Sequence, residues 1–277
     1  MWGDLENESD MNLSWIVREK FWTLQQPAPL VQIMRRALKG RHVAAQALFQ
    51  VAVENKLGLE IGGPSAVFRN TGELPIYRYL AGLDNCVFSA ETIWEGKRPD
   101  GRSFFYQPGK DQGFNFIREA TELRNIDNHR YDFVLSSHNL EHIANPIKAL
   151  REWKRVVKPH GALIVILPDY RRTFDHRRKP TPINHMIEDY DRGTDETDLT
   201  HLEEILALHD QALDPDSGTK ANFQERSMRN VENRCLHHHV FDERNSRALL
   251  EAAGLRVDVQ ELIKPFHIVL LARCSTD

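Results

Sequence analysis

The chain has little cysteine. Cys86, Cys235 and Cys274 are odd in number and far apart, which suggests neither a disulfide framework nor a zinc motif. No run of apolar residues approaches the roughly twenty needed to span a membrane. Nor is there an excess of positive charge. The 36 Lys and Arg against 40 Asp and Glu leave a formal net charge of −4, so no global basic field attracts nucleic acid. The first ten residues, Met1-Trp-Gly-Asp-Leu-Glu-Asn-Glu-Ser-Asp10, are acidic and lack the basic and apolar regions of a signal peptide. A cytoplasmic location is the expectation. A Gly-Lys-Ser/Thr phosphate loop is absent, as are the Gly-x-Gly-x-x-Gly of a nicotinamide-binding loop and any internal repeat. What is present is 277 residues, 41% of them hydrophobic. That suffices to bury the core of one large domain, or of one domain with an insertion.

Residues 131–169 are the most informative stretch. Tyr131–Ser136 reads as a short apolar strand. Ile147, Leu150, Trp153, Val156 and Val157 then recur at helical spacing. Lys158-Pro-His-Gly161 stops that helix, because proline cannot continue it and glycine tolerates the turn. Ala162–Leu167 is an uninterrupted apolar run, as in a strand buried on both faces. The unit is strand–helix–strand in a parallel sheet. Ser136, Ser137 and His138 follow the first strand and Asp169 the second. In open α/β sheets that carboxyl edge is where ligands bind.

This stretch resembles the second half of a class I S-adenosylmethionine-dependent methyltransferase of the type 11-like family. The first-half motif stands about seventy residues earlier, as Leu57-Gly-Leu-Glu-Ile-Gly-Gly-Pro-Ser65. It is similar to the loop that wraps the methionine part of the cofactor. The resemblance covers roughly residues 55–170 and 236–273. It implies a Rossmann-like α/β fold: a mostly parallel seven-stranded sheet with an antiparallel last strand, N-terminal helices and a helical lid insertion. It also implies S-adenosyl-L-methionine as cofactor.

The same resemblance assigns cofactor contacts. Glu60 orients the methionine moiety. Gly62, Gly63 and Pro64 allow close approach of the backbone, which a β-carbon would block. Ser136, Ser137 and His138 line the methionine end. Arg118-Glu-Ala-Thr-Glu-Leu123 is similar to the adenine segment, with Glu119 accepting from the amino group and Ala120 offering its amide. The ribose acid is missing, because Val87 stands where it belongs. Glu91, or Asp84 and Asn85, is the substitute.

Three histidines are candidates for a general base: His142, which follows Glu141 near the transferring methyl, then His239 of the run His237-His-His239, and His138. Histidine, with an ordinary pKa near 6.5, suits proton transfer at neutral pH. Asp169, Asp175, His176 and His185 have no recognised metal spacing, so no metal is expected.

Four segments follow. Residues 1–54 form an N-terminal helical extension, with Trp15 and Trp22 on one face. Residues 55–169 are the cofactor-binding core, 170–235 a substrate lid, and 236–277 the completion of the sheet. Second and third strands are expected at Cys86–Phe88 and Asn115–Ile117, and a helical stretch in the lid at Asp198–Leu213. The expected activity is O-methylation of a small molecule or glycan. The alternatives are a non-catalytic cofactor-binding protein and, less favoured, a nicotinamide enzyme. Neither the acceptor nor the oligomeric state is legible.

Overall fold

The computed structural model describes residues 43–92, 96–97 and 99–274. The expected helices before residue 43, with Trp15 and Trp22, lie outside the described residues. Helix α1 is Gln46–Val53. Strands β1 (Leu57–Ile61), β2 (Gly82–Val87), β3 (Glu91–Thr92), β4 (Gly96–Lys97), β5 (Gly101–Phe104), β6 (Gly113–Ile117) and β7 (Tyr131–Ser137) follow. Helix α2 (Pro146–Val156) and strand β8 (Val157–Pro168) complete the strand–helix–strand unit. Helices α3 (Ile183–Arg192), α4 (Leu202–Leu208), α5 (Lys220–Met228) and α6 (Asn230–Asn233) form the insertion. Helix α7 (Glu243–Ala252) and strands β9 (Leu255–Ile263) and β10 (His267–Cys274) end the described chain.

The main sheet runs β5-β6-β2-β1-β7-β8-β10-β9. Five strands are parallel: β6, β2, β1, β7 and β8. β10 lies antiparallel between β8 and β9. The sheet has eight strands rather than the expected seven, because β5 adds an antiparallel edge to β6. From β1 the chain moves outward to β2 and β6, then crosses back to β7 on the other side of β1. The carboxyl ends of β1 and β7 therefore flank the point where strand order reverses, the crevice where such sheets bind ligands.

Strand alternation divides the core between the two faces. Ala162, Ile164 and Ile166 pack with Phe49, Val53, Phe68 and Tyr77. Leu163, Val165 and Leu167 pack with Leu150, Trp153, Leu249 and Leu250 of α2 and α7. α2 starts at Pro146. Asn145 caps it by accepting from Lys148 N at 3.0 Å, and Pro146 takes the first turn, where no amide is needed. Asp242 and Asn245 make a capping box for α7, and Gly254 at φ +79° ends it.

The stop at Lys158–Gly161 is an excursion within β8 rather than a turn before it. Tyr131 pairs with Val157 and Phe133 with Ala162, so two steps on β7 oppose five on β8. The β1–β2 connection has no α-helix either. It contains two 3₁₀ turns, Ala66–Phe68 and Tyr77–Tyr79, in a segment broken by Pro64 and Pro75. In the insertion, the helical stretch expected at 198–213 is α4 followed by a 3₁₀ turn at Gln211–Leu213. Ile205 and Phe223 of the insertion pack with Leu236, just beyond it, in a small separate core. Met186 of α3 joins the main core. Thr181 N donates to Val240 O at 2.9 Å, pinning the segment before α3 to the segment before α7.

Candidate active site

The loop after β1 is built around Gly62, Gly63 and Glu60. Gly62 sits at φ +73°, and a β-carbon on it would lie 2.6 Å from the Asn139 amide. A β-carbon on Gly63 would lie 2.3 Å from the Glu60 carboxyl carbon. Gly63 N donates to Asn85 Oδ1 at 2.9 Å, and Asn85 Nδ2 to Asn115 Oδ1 at 2.8 Å. Two buried asparagines on β2 and β6 thus carry the loop.

Glu60 is fully buried and faces its own loop. It accepts from Ser65 N at 3.0 Å, from Ser65 Oγ at 2.6 Å and from Tyr77 OH at 2.7 Å. Burial pushes its pKa up, against these donors. The carboxylate shapes the loop, and Pro64 lies half-buried beside it. Glu91, the expected substitute for the ribose acid, is exposed on β3.

The end of β7 carries unsatisfied polar groups. Ser136 Oγ, Asn139 Oδ1 and Glu141 Oε2 are buried and make no hydrogen bond. Ser137 is half-buried. His138 is held at φ +50° while its N–H donates to Ile166 O at 2.9 Å. Its Nε2 lies 2.8 Å from His267 Nδ1, and its Nδ1 lies 3.5 Å from Glu141 Oε1. Burial opposes charge on Glu141, yet His138, His142 and His237 around it hold its pKa below the ordinary value.

His142 and His237 meet beside this carboxylate. Their rings pack edge to face with centroids 4.5 Å apart. His142 Nδ1 is 3.2 Å from Leu236 O. Burial, with His237 nearby, pushes its pKa down to about 4, so it is neutral at pH 7. His237 is different. Its Nδ1 lies 2.5 Å from Asp175 Oδ2. Burial alone would lower its pKa, but the Asp175 carboxylate raises it above the ordinary value. Asp175 is itself fixed by Arg178 Nη1, which donates to Oδ1 at 3.1 Å and to His237 O at 2.9 Å. Burial opposes the Asp175 charge, and His237 and Arg178 still bring its pKa to about 2.

His239 does not join this group. It is 1% exposed, with Nε2 3.1 Å from Ala144 O, and lies among His185 and His201. The structure therefore gathers His138, His142 and His237 at the carboxyl edge and sends His239 to a second cluster.

The segment after β6 is fixed from α2. Trp153 Nε1 donates to Ala120 O at 2.9 Å, and Leu123 N donates to Glu152 Oε1 at 2.8 Å. Glu119 accepts from Arg234 Nη2 at 2.6 Å. The Arg234 guanidinium lies 5.4 Å from the Phe88 ring centroid. Sequence reasoning missed Arg234 and the pairing of Asp175 with His237. No motif marks these pairings, since Asp175 and His237 are 62 residues apart and Arg234 and Glu119 are 115 apart.

Residues 99–165 match a family model described as a methyltransferase domain. No curated protein matches the chain. Among solved structures, it is similar to a SAM dependent methyltransferase from Aquifex aeolicus. Identity is 15%, 92% of this chain and 97% of that one are covered, and the TM-score is 0.46. It is also similar to the 1,6-didemethyltoxoflavin-N1-methyltransferase of Burkholderia thailandensis, solved with its substrate and S-adenosylhomocysteine. Identity there is 13%, coverage 99% and 93%, and the TM-score 0.44.

The sheet order and the matched segment, residues 99–165, agree on the type of fold. The fold is Rossmann-like, the type found in class I methyltransferases.

Proposed function

We propose that this protein transfers a methyl group from S-adenosyl-L-methionine to a hydroxyl oxygen of a small molecule or saccharide, with His237 as general base. The observation that carries this reading is the buried Asp175–His237 pair, set against His142 and Glu141 at the carboxyl edge of the sheet. Hydroxyl acceptors need a base at neutral pH; amines and thiolates do not.

The residues at this edge fit the cofactor. A loop kept free of β-carbons at Gly62 and Gly63 faces buried polar atoms without partners on Ser136 and Asn139. Buried groups of this kind are normally satisfied by a ligand or water. Gly62, Gly63, Pro64, Ser136, Ser137 and His138 are assigned to the methionine end, Glu119 and Ala120 to the adenine, and Glu91 to the ribose. When bound, the cofactor supplies an electrophilic methyl on a sulfonium.

The protein's part is proton handling and position. Asp175 holds the Nδ1–H of His237, which leaves Nε2 as the proton acceptor for the hydroxyl. Arg178 keeps Asp175 ionised and in place. Asp175, Arg178 and Arg234 all come from the insertion, which supports its reading as the substrate lid. The test is transfer of labelled methyl to a panel of hydroxyl, amine and thiol acceptors. Turnover confined to amines or thiols would overturn the oxygen assignment.

One further result is expected at the adenine end. Glu119→Ala should weaken S-adenosylmethionine by about 1–3 kcal/mol, the usual cost of leaving a polar partner unsatisfied. Equal affinity in a calorimetric titration would leave Glu119 as no more than the ion-pair partner of Arg234.

A further inference from the structure

His239 and three residues of the insertion form a second cluster, separate from the Asp175–His237 pair. His185 and Asp189 stand four residues apart on α3, so they share a helix face. His201 immediately precedes α4. His239 comes from the segment that leads into α7.

The donor atoms converge. His185 Nε2 lies 2.9 Å from His201 Nε2 and 3.4 Å from Asp189 Oδ2. Asp189 Oδ2 lies 3.8 Å from His239 Nε2. Ligating atoms of His185, Asp189 and His239 all fall within 4.8 Å of one another. A tetrahedral ion with bonds of ~2.0–2.1 Å sets its donors roughly 3.3 Å apart. The separations of 3.4 and 3.8 Å from Asp189 Oδ2 to His185 and His239 lie near that value, and His201 reaches the group through His185 at 2.9 Å.

A second observation points the same way. Asp189 Oδ2 is buried and accepts no hydrogen bond, and its side chain is only 8% exposed. The other oxygen, Oδ1, accepts from Thr194 Oγ1 at 3.1 Å. One oxygen is thus anchored, and the other lies between the imidazoles of His185 and His239 without a hydrogen bond. Glu204 Oε2 lies 3.7 Å from His201 Nδ1. A carboxylate behind a ligating imidazole is the usual means of orienting it.

We propose that His185, Asp189, His201 and His239 bind one divalent transition-metal ion of the zinc class. His185, Asp189 and His239 supply three converged donors, and His201, which here meets His185 Nε2, turns in as the fourth to close the shell, so the site is structural. It clips α3 and the start of α4 to the segment that leads into α7. The clip holds the insertion over the carboxyl edge, where Asp175 must meet His237. His239 exchanges its contact with Ala144 O for the ion. The His185 and His201 side chains are 31% and 19% exposed, which leaves a path for the ion from solvent. The inference departs from the expectation of no metal. That expectation rested on sequence spacing, and this donor set is spread over 55 positions, from 185 to 239.

The test uses the full chain, purified without an affinity tag, stripped with EDTA and titrated with zinc(II) or cobalt(II). One equivalent of metal should bind, and zinc should raise Tm by about 5 °C or more. Cobalt should give the intense visible bands of a four-coordinate ion. His201→Ala and Asp189→Asn should each lose stoichiometric binding and the thermal shift, while His142→Ala keeps both. The wild-type cobalt spectrum decides the matter even where a variant folds poorly. The proposal is overturned if the wild type binds no metal, if cobalt gives only a weak octahedral spectrum, if folded His201→Ala retains its full equivalent, or if His142→Ala alone loses it.

Discussion

His237→Ala is expected to lose about 10²–10⁴-fold in turnover, the range for removal of a positioned base, while its affinity for S-adenosylmethionine stays at the wild-type value. The side chain is only 10% exposed and lies between Asp175 and His142. None of the loop or strand-end groups assigned to the cofactor depends on it. Removing it leaves Asp175 ionised against Arg178 alone, so the pocket keeps its charge but not its proton acceptor. Added imidazole should restore part of the rate, which no purely structural role for His237 would allow. His239→Ala should not respond to imidazole, because His239 lies in the other cluster. A His237→Ala enzyme with full turnover on a hydroxyl acceptor would remove the base assignment. His142, whose ring abuts His237, or His138 would then be the next candidate.

The second large effect is expected at the loop. Gly62→Val should abolish measurable S-adenosylmethionine binding, a loss of at least about a hundredfold or ~2.7 kcal/mol. Two causes act together. The backbone at Gly62 is left-handed, which a β-branched residue resists by roughly 1–3 kcal/mol. The new side chain also meets the Asn139 amide at 2.6 Å. Both costs are local and smaller than the ~5–15 kcal/mol that holds a domain folded. The variant should therefore remain folded by circular dichroism. Wild-type affinity in a folded variant would take this loop out of the cofactor site.

Much of the fold was legible because it depends on local pattern. Leu57–Ile61, Tyr131–Ser136 and Ala162–Leu167 are strands within a few residues of where their apolar runs place them. Asp242 and Gly254 mark the ends of α7 with their own chemistry. The β1–β2 connection was less legible, since its turns are set by packing of Phe68, Leu74 and Tyr77 under the sheet.

The candidate site was legible only in part, for the same reason. Gly62, Gly63, Ser136 and His138 belong to two short motifs. Asp175 and His237 are 62 residues apart, and Arg234 and Glu119 are 115 apart. No spacing rule joins them; only the folded insertion does. Glu60 is the instructive case. The motif assigns it to a ligand, while Ser65 and Tyr77, its own neighbours in the loop, occupy its oxygens.

A crystal structure with S-adenosylhomocysteine tests the central claim most directly. The ligand should lie along the carboxyl ends of β1, β2, β6 and β7. Its homocysteine end should lie between the Gly62–Pro64 loop and His138, its adenine near Glu119 and Ala120, and its sulfur on the side where His237 and Asp175 meet. Density for the ligand elsewhere on the protein, or none at saturating concentration, would contradict the account.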